Sequence, residues 1–374
     1  MNRKFTIFMS VVIMTALSCP ALYPCTTFVL HQGERLIFGR NLDWISGTGL
    51  LILNPRNMEK KALVDSSQKA ITWVSKFGSI TFNQIGRELP FGGINESGLV
   101  VEHMTLDGTI YPAKDHRYPL GAFQWIQYQL DNFSTVEEVI ASDTLLRIDD
   151  ANSKIHFLLC DRFGHSAVIE FLNGTMVCHA GTNLTVPALA NSTYDESMNC
   201  LINHGDVHSN LSLAHFVAVA TQAQHANSSP DDSLIGYAFQ TLRMVNQGLP
   251  TKWSIVYDIT NMRIYFKIYE TPTIVGEQKI FTKMPPYDPG TKIVDLHGLD
   301  FTCSTSAKVL DLNCSHDGLL NPNFENYSTG INKEFISKAF TFYKGWGIPI
   351  NVNDAELEYL AKYPESFKCV EKRR

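Results

Sequence analysis

Cys25, Arg40 and Asp43 are the residues whose types and spacing first suggest chemistry. A thiol is a strong nucleophile only as thiolate, and at its ordinary pKa near 8.5 most of it is protonated at neutral pH. If proteolysis made Cys25 the first residue of the chain, its α-amine, with an ordinary pKa of about 7.7 to 8.0, would lie within reach of its own sulfur as a base. Arg40 would then favour the thiolate and help place a substrate carbonyl, and Asp43 would accept hydrogen bonds from the α-ammonium and orient it. Acyl transfer also needs donors for the tetrahedral oxyanion, each typically worth ~3 to 4 kcal/mol, and a side-chain amide can be one. Taken singly these residues carry little weight. Cysteines of exported proteins are mostly in disulfides, an Arg/Asp pair so close in sequence is mostly a surface ion pair, and Asn191, in ANSTYD, is of a type that commonly forms turns.

The surrounding elements must therefore supply the geometry. Residues 26–30 and 36–42 are β-like, and His31-Gln32-Gly33-Glu34 between them supplies a glycine-containing turn, which predicts a hairpin. A turn centred between Gln32 and Gly33 sets Cys25 directly opposite Arg40, with Cβ atoms about 5 Å apart. Strict alternation puts Asp43 on the other face from Arg40, so an irregularity near Asn41 or Leu42 is expected. Residues 99–104, 156–159, 166–171, 254–259 and 262–269 read as further strands, and 120–130, 134–141, 211–222 and 234–246 carry helical spacing. The runs WSIVYDIT and MRIYFKIY, joined at Asn261, suggest an antiparallel hairpin, which favours stacked antiparallel sheets covered by helices over a doubly wound parallel sheet. Two short helices, 333–343 and 354–363, follow a cysteine-bearing loop region.

The chain has 374 residues, 44% hydrophobic and 18% charged, the composition of an ordinary globular protein. A net charge of −6 and a pI near 6.1 argue against a nucleic-acid partner, and the basic cluster Lys372-Arg373-Arg374 is a terminal tail. MNRKFTIFMSVVIMTALS pairs a basic start with an apolar stretch too short for a comfortable membrane span, which predicts a signal peptide over 1–18 and a periplasmic or secreted protein without a stable membrane span. Ala16 and Ser18 place the cut before Cys19, leaving a short stub, 19–24, ahead of Cys25; a lipoprotein acylated at Cys19 would need an aliphatic residue where Ala16 stands. No linker divides the rest, so one domain over 25–310 with a packed C-terminal extension over 311–374 is expected. Of the eight cysteines, Cys303 and Cys314 are expected to form the first bridge, being close in sequence and flanked by turn residues. No C-x-x-C, H-E-x-x-H or Walker loop occurs, so zinc and nucleotide chemistry have no support.

CTTFVLHQGERLIFGRNLDW, running from Cys25 to Trp44, closely resembles the N-terminal signature of the choloylglycine hydrolase family, the N-terminal-nucleophile (Ntn) group that holds bile salt hydrolases and penicillin V acylases. Weaker family-like stretches follow at GGINESGLVVE (92–102), ALANSTYDE (188–196), SLAHFVAVA (212–220) and TKWSIVYDITNMRIYF (251–266). The resemblance implies an α+β Ntn-hydrolase αββα sandwich of two antiparallel sheets flanked by helices, autocatalytic exposure of Cys25 and hydrolysis of a linear amide C–N bond in a small N-acyl substrate. It implies no cofactor and no metal, and a homo-oligomer, tetramer or dimer. Residue by residue it makes Cys25 the nucleophile, Arg40 and Asp43 its charged partners, and Asn191 an aid to the oxyanion. Two positions depart from bile salt hydrolases: Met104-Thr105 stands where they place an asparagine, and His215, in A-H-F, where they place an arginine. A histidine of ordinary pKa carries charge only in mild acid, and His215 lies in a helical stretch where a structural role is as good a reading. Trp44, Thr105 and His215 are thus candidate substrate contacts, and Ile45, Leu50, Leu51 and Ile52 are candidates to grip a hydrophobic acyl group or to belong to the core. Conjugated bile acids, penicillin V and acyl-homoserine lactones all lie within the family's reach. An exported binding protein of the same fold, weak or inactive in catalysis, is the alternative. A papain-type protease is disfavoured because C-G-S-C-W is missing around Cys25.

Overall fold

The computed structural model describes residues 23–150, 153–226, 234–269, 273–275, 278–280, 288–304, 306–314, 316–346 and 352–370. The expected signal segment, Cys19 and the basic tail lie outside the described residues.

Two antiparallel-rich sheets face one another. The first runs β14 (Ala188–Leu189), β1 (Thr26–Gln32), β2 (Arg35–Asp43), β15 (Thr251–Asp258), β16 (Arg263–Ile268), β19 (Lys292–Asp295) and β21 (Gly318–Leu319). The second runs β13 (Thr175–Ala180), β12 (Ser166–Leu172), β11 (Ile155–Cys160), β8 (Val100–Thr105), β7 (Pro90–Asn95), β6 (Ser79–Asn83), β3 (Leu50–Asn54), β20 (Lys308–Asp311) and β22 (Glu325–Asn326). Their inner faces interdigitate through aromatic rings, as expected of stacked sheets: Phe82 of β6 meets Trp253 and Tyr257 of β15 and Phe266 of β16, with centroids 5.4 to 6.3 Å apart. Helices α4 (Leu211–His225) and α5 (Leu234–Met244) cover the first sheet, and α1 (Ala122–Asn132) covers the second, so the layers are αββα as expected. Side chains serve the free N–H groups at several helix starts: Asn210 caps α4, and Thr135 and Thr193 form capping boxes on α2 (Val136–Ala141) and α3 (Tyr194–Ile202). No described helix is long and apolar enough to cross a membrane.

Smaller ladders join β9 (Tyr118–Leu120) to β10 (Leu146–Ile148) and β17 (Thr273–Val275) to β18 (Gln278–Ile280), while β4 (Met58–Lys61) sits between β5 (Thr72–Val74) and β23 (Lys368–Cys369). Residues past 310 add β21 to one sheet and β22 to the other, and α6 (Thr329–Gly345) and α7 (Asp354–Lys362) pack on each other before β23.

Three expectations are corrected. The β1–β2 hairpin pairs Gln32 with Arg35, so its loop is Gly33–Glu34 with Gly33 at φ +58°, a left-handed value that glycine adopts without penalty. Arg40 consequently faces Thr27 rather than Cys25. The displacement is two residues, which preserves alternation, so Cys25, Thr27 and Arg40 still share a face. The irregularity beside Asp43 falls on the partner strand: β15 pairs Thr251 with Asp43 and Trp253 with Leu42, leaving Lys252 as the extra residue. The bridge is Cys303–Cys369, Cα atoms 5.4 Å apart, and Cys314 is free. Long-range pairing outranks sequence proximity here: Val370 N–H donates to Asn57 and Arg56 N–H to Phe301, so both cysteines are drawn to the start of β4. Of the residues that could grip an acyl group or belong to the core, Leu50, Leu51 and Ile52 lie buried in β3, while Ile45 is half-buried.

Candidate active site

Cys25 lies just ahead of β1, where the face it shares with Arg40 turns toward the second sheet. The residue is only 5% exposed. Its thiol donates to the Asp43 carbonyl oxygen at 3.7 Å, and the Arg40 guanidinium lies beside it. Burial pushes the thiol up to about 11; Arg40 opposes that shift and the Asp43 carboxylate adds to it. On the other side of β1, β14 pairs Leu189 with Thr27. The same register, carried two residues past the end of β14, sets Asn191 alongside Cys25, so the sheet order β14, β1, β2 brings Asn191, Cys25 and Asp43 to one end.

Arg40 is fully buried and reaches across the gap between the sheets. It donates to the carbonyls of Phe91 and His103, each at 3.2 Å, and pairs with the Glu102 carboxylate, which also accepts from Tyr257. A guanidinium held by three acceptors has one orientation, which a catalytic cation requires. Burial pushes Glu102 up to about 7 against the opposing effects of Arg40 and Tyr257. Gly92 makes the room: a Cβ there would lie 2.0 Å from Glu102 Oε2. Sequence reasoning missed Glu102, although a carboxylate within the apolar run LVVEHM must find a partner once that strand is buried.

Asp43 accepts from Thr251 Oγ1 and from the Gln247 side chain. Burial raises its carboxyl to about 7, with those two bonds and Arg40 pulling the other way. Asp43 Oδ2 and Asn191 Oδ1 are both buried with no partner among the described residues. Such orphans are uncommon, and Asp43 Oδ2 is the kind of acceptor an α-ammonium on Cys25 would satisfy. Asn191 is held through its backbone, whose N–H donates to Ser212 Oγ at 2.8 Å, leaving its side-chain amide uncommitted.

The remaining candidates separate. His215 sits on α4 with Nδ1 3.1 Å from Thr26 Oγ1, and its ring faces the Pro24 carbonyl, so it flanks Cys25. Burial lowers its pKa to about 4, so it is neutral even in mild acid and does not replace an arginine's charge. Trp44 follows Asp43, half-buried, its Nε1–H donating to Tyr343 of α6 at 3.3 Å. Tyr343 in turn donates to Gln84 at 2.7 Å, so the C-terminal helix braces the residue next to the site. Thr105 ends β8 opposite Ile155, and the described contacts do not join it to Cys25. Gln247, in the α5–β15 connection, was missed altogether: an Asn-Gln-Gly loop gives no signal in sequence. Glu137, Asp161 and His165 group metal-ligand types on α2 and the β11–β12 turn, elements that carry none of the site residues.

The family model for linear amide C–N hydrolases, choloylglycine hydrolase family, matches residues 25–230, more than half of the chain. The chain is 25% identical to a penicillin V acylase of Pectobacterium atrosepticum over 318 residues, 71% of this chain and 83% of that protein. It superposes on penicillin V acylase from Agrobacterium tumefaciens with a TM-score of 0.66 and 25% identity, covering 81% of this chain and 98% of the other. With a variant of conjugated bile acid hydrolase from Clostridium perfringens the TM-score is 0.59 at 17% identity, covering 77% and 97%, a likeness of fold.

Proposed function

Because the chain belongs to the linear amide C–N hydrolases of the choloylglycine hydrolase family, we propose that it hydrolyses the amide of a small N-acyl substrate with Cys25 as an N-terminal nucleophile. One observation carries the reading: the Cys25 thiol, the clamped Arg40 guanidinium and Asp43 converge, with Asp43 Oδ2 left unpaired where an α-ammonium would bond it. Removal of residues ahead of Cys25 supplies the base that the thiol needs, since burial alone holds it protonated. The thiolate then attacks the substrate carbonyl, the Asn191 amide donates to the oxyanion, and Arg40 supports the developing charge. The amine leaves with a proton from the α-ammonium, and water, activated by the returned α-amine, releases the acid from the thioester.

In this reading residues 1–18 are a signal peptide, 19–24 a stub, 25–310 the Ntn hydrolase domain and 311–374 its extension, in a periplasmic or secreted homo-oligomer. Two relatives named penicillin V acylase at 25% identity favour a penicillin V-like acyl amide over conjugated bile acids or acyl-homoserine lactones. Trp44, half-buried and next in sequence to Asp43, supports that reading as an aromatic side chain suited to an aromatic acyl group. The neutral His215 and the high thiol pKa favour a second reading, an exported binding protein of this fold with weak turnover. Iodoacetamide labelling with intact-mass analysis separates them: a chain starting at Cys25 and alkylated there supports catalysis, and a retained stub supports binding. A hydrolysis screen against penicillin V, glycine- and taurine-conjugated bile acids and N-acyl lactones then reads the substrate.

A further inference from the structure

Pro24, immediately ahead of the nucleophile, is buried, and its carbonyl oxygen accepts a hydrogen bond from Gln247 Nε2 at 3.1 Å. The His215 ring faces the same carbonyl from the α4 side. Gln247 is not a loose surface side chain: its backbone N–H donates to Thr251 Oγ1 at 2.9 Å, and its side chain also bonds Asp43. His215 is fixed in turn by Thr26 Oγ1 at 3.1 Å. Two anchored side chains thus converge on the carbonyl oxygen of the one peptide bond whose cleavage would free the Cys25 amine.

We infer that Gln247 and His215 form a second oxyanion pocket, separate from the Asn191 amide, in which the chain cuts its own Pro24–Cys25 bond. The inference rests on the reading of Cys25 as an N-terminal nucleophile. In the first step the Cys25 sulfur bonds to the Pro24 carbonyl carbon, and the carbonyl electron pair moves onto the oxygen that Gln247 and His215 hold. Collapse breaks the bond from that carbon to the Cys25 nitrogen, which takes up the thiol proton and becomes the α-amine, leaving a thioester. Water then adds to the thioester carbon, the carbon–sulfur bond breaks, and the products are a carboxylate ending in Pro24 and a free thiol. The chemistry of the donors suits a reaction performed once. An amide and an uncharged imidazole stabilise a transient oxyanion but form no ion pair with the released carboxylate, which an arginine at position 215 would retain. Asp43 joins the two stages, since it holds Gln247 before the cut and has Oδ2 unpaired for the amine formed by it.

The test follows stub loss in the full chain. Cell-free synthesis with intact-mass sampling would give the rate of cleavage for the unaltered chain, Gln247→Met, His215→Ala and the double variant. Each single change is expected to slow cleavage by about 10²- to 10³-fold, the loss typical of one oxyanion donor. The same variants are also made from a start codon placed directly before Cys25, so that the initiator methionine is trimmed and no stub need be cut. There the fall in turnover is expected to be at least about 10-fold smaller than the fall in cleavage rate, with unchanged circular dichroism showing an intact fold. Cleavage of Gln247→Met at the unaltered rate overturns the pocket, as does an equal fall of turnover and cleavage. If Cys25→Ala still loses its stub and still turns over, the underlying reading fails instead, whatever Gln247 does.

Discussion

Among the described residues, the buried ion clusters around Arg40 and Lys60 can be set side by side, and only the first is a candidate for chemistry. Around Arg40 the first sheet is joined to the second through Glu102. Around Lys60, on β4, the ammonium meets Glu88 at 2.9 Å and Asp131 at 2.9 Å, while Trp73 Nε1 and Gln127 Nε2 donate to Asp131 at 2.8 and 2.9 Å. Burial is equal, and burial raises carboxyl pKa values in both. The difference lies in the carboxylates, since the Lys60 cluster also leaves Gln127 Oε1 unpaired. Every oxygen of Glu88 and Asp131 has a donor, whereas the Arg40 region holds the Cys25 thiol and an unpaired carboxylate oxygen on Asp43. A perturbed, buried charge therefore marks a cost being met, and it marks a reactive site only where a group is left over.

That contrast can be broken by substitution. Cys25→Ala is expected to abolish turnover, by at least about 10³-fold, and to retain the stub, as shown by product release and intact mass; residual turnover within tenfold of the unaltered protein would remove the thiol from the mechanism. Asp43→Asn should lower kcat/KM by about 10²-fold, because an amide orients an α-ammonium poorly. Its stability should move the other way. The folded-state pKa of Asp43, about 7, is raised above the ordinary 3.8, so the fold prefers the protonated form and stability is lost as pH rises from about 4 through 7. Asp43→Asn should then raise Tm at pH 8, by less at pH 5, and leave it nearly unchanged only below about pH 4, where the unfolded carboxyl is protonated as well, measured by calorimetry. In the processed enzyme the Cys25 α-ammonium would pull the Asp43 pKa down, so the acid limb of kcat/KM is expected below pH 7 and should be absent from the variant.

Smaller effects sharpen the comparison. Glu102→Gln and Asp131→Asn each unbalance a buried pair and should cost about 3 to 5 kcal/mol in urea unfolding. Only Glu102→Gln should also alter the pH profile of turnover, through Arg40. Tyr343→Phe removes the bond to Trp44 and should cost about 1 kcal/mol or less of stability; the expected sign of a role in the pocket is a rise in KM with kcat kept.

Much of the hairpin was legible because alternation is a strong constraint. Misplacing the turn displaced the Cys25–Arg40 pairing by two residues yet left both side chains on one face, so the convergence survived the wrong register. Asp43 was legible as a residue that needed an irregularity, but alternation cannot say which strand carries it, and it fell at Lys252. Glu102 and Gln247 were out of reach for a different reason: each meets the site across the fold, through sheet stacking or a loop return. The disulfide failed for the same cause, since pairing of β23 with β4 depends on where the chain end travels.

The Cys303–Cys369 bridge has a consequence for the order of assembly. Its second thiol follows α6 and α7, so the bridge is among the last covalent links the chain can make, whereas Cys25 enters the first hairpin at the start. Cys160 and Cys200 are enclosed as well. A growing chain that shuts these sulfurs away before residue 369 arrives leaves an oxidant fewer thiols to choose from, so early burial would protect the Cys25 thiol from being captured in a wrong bridge.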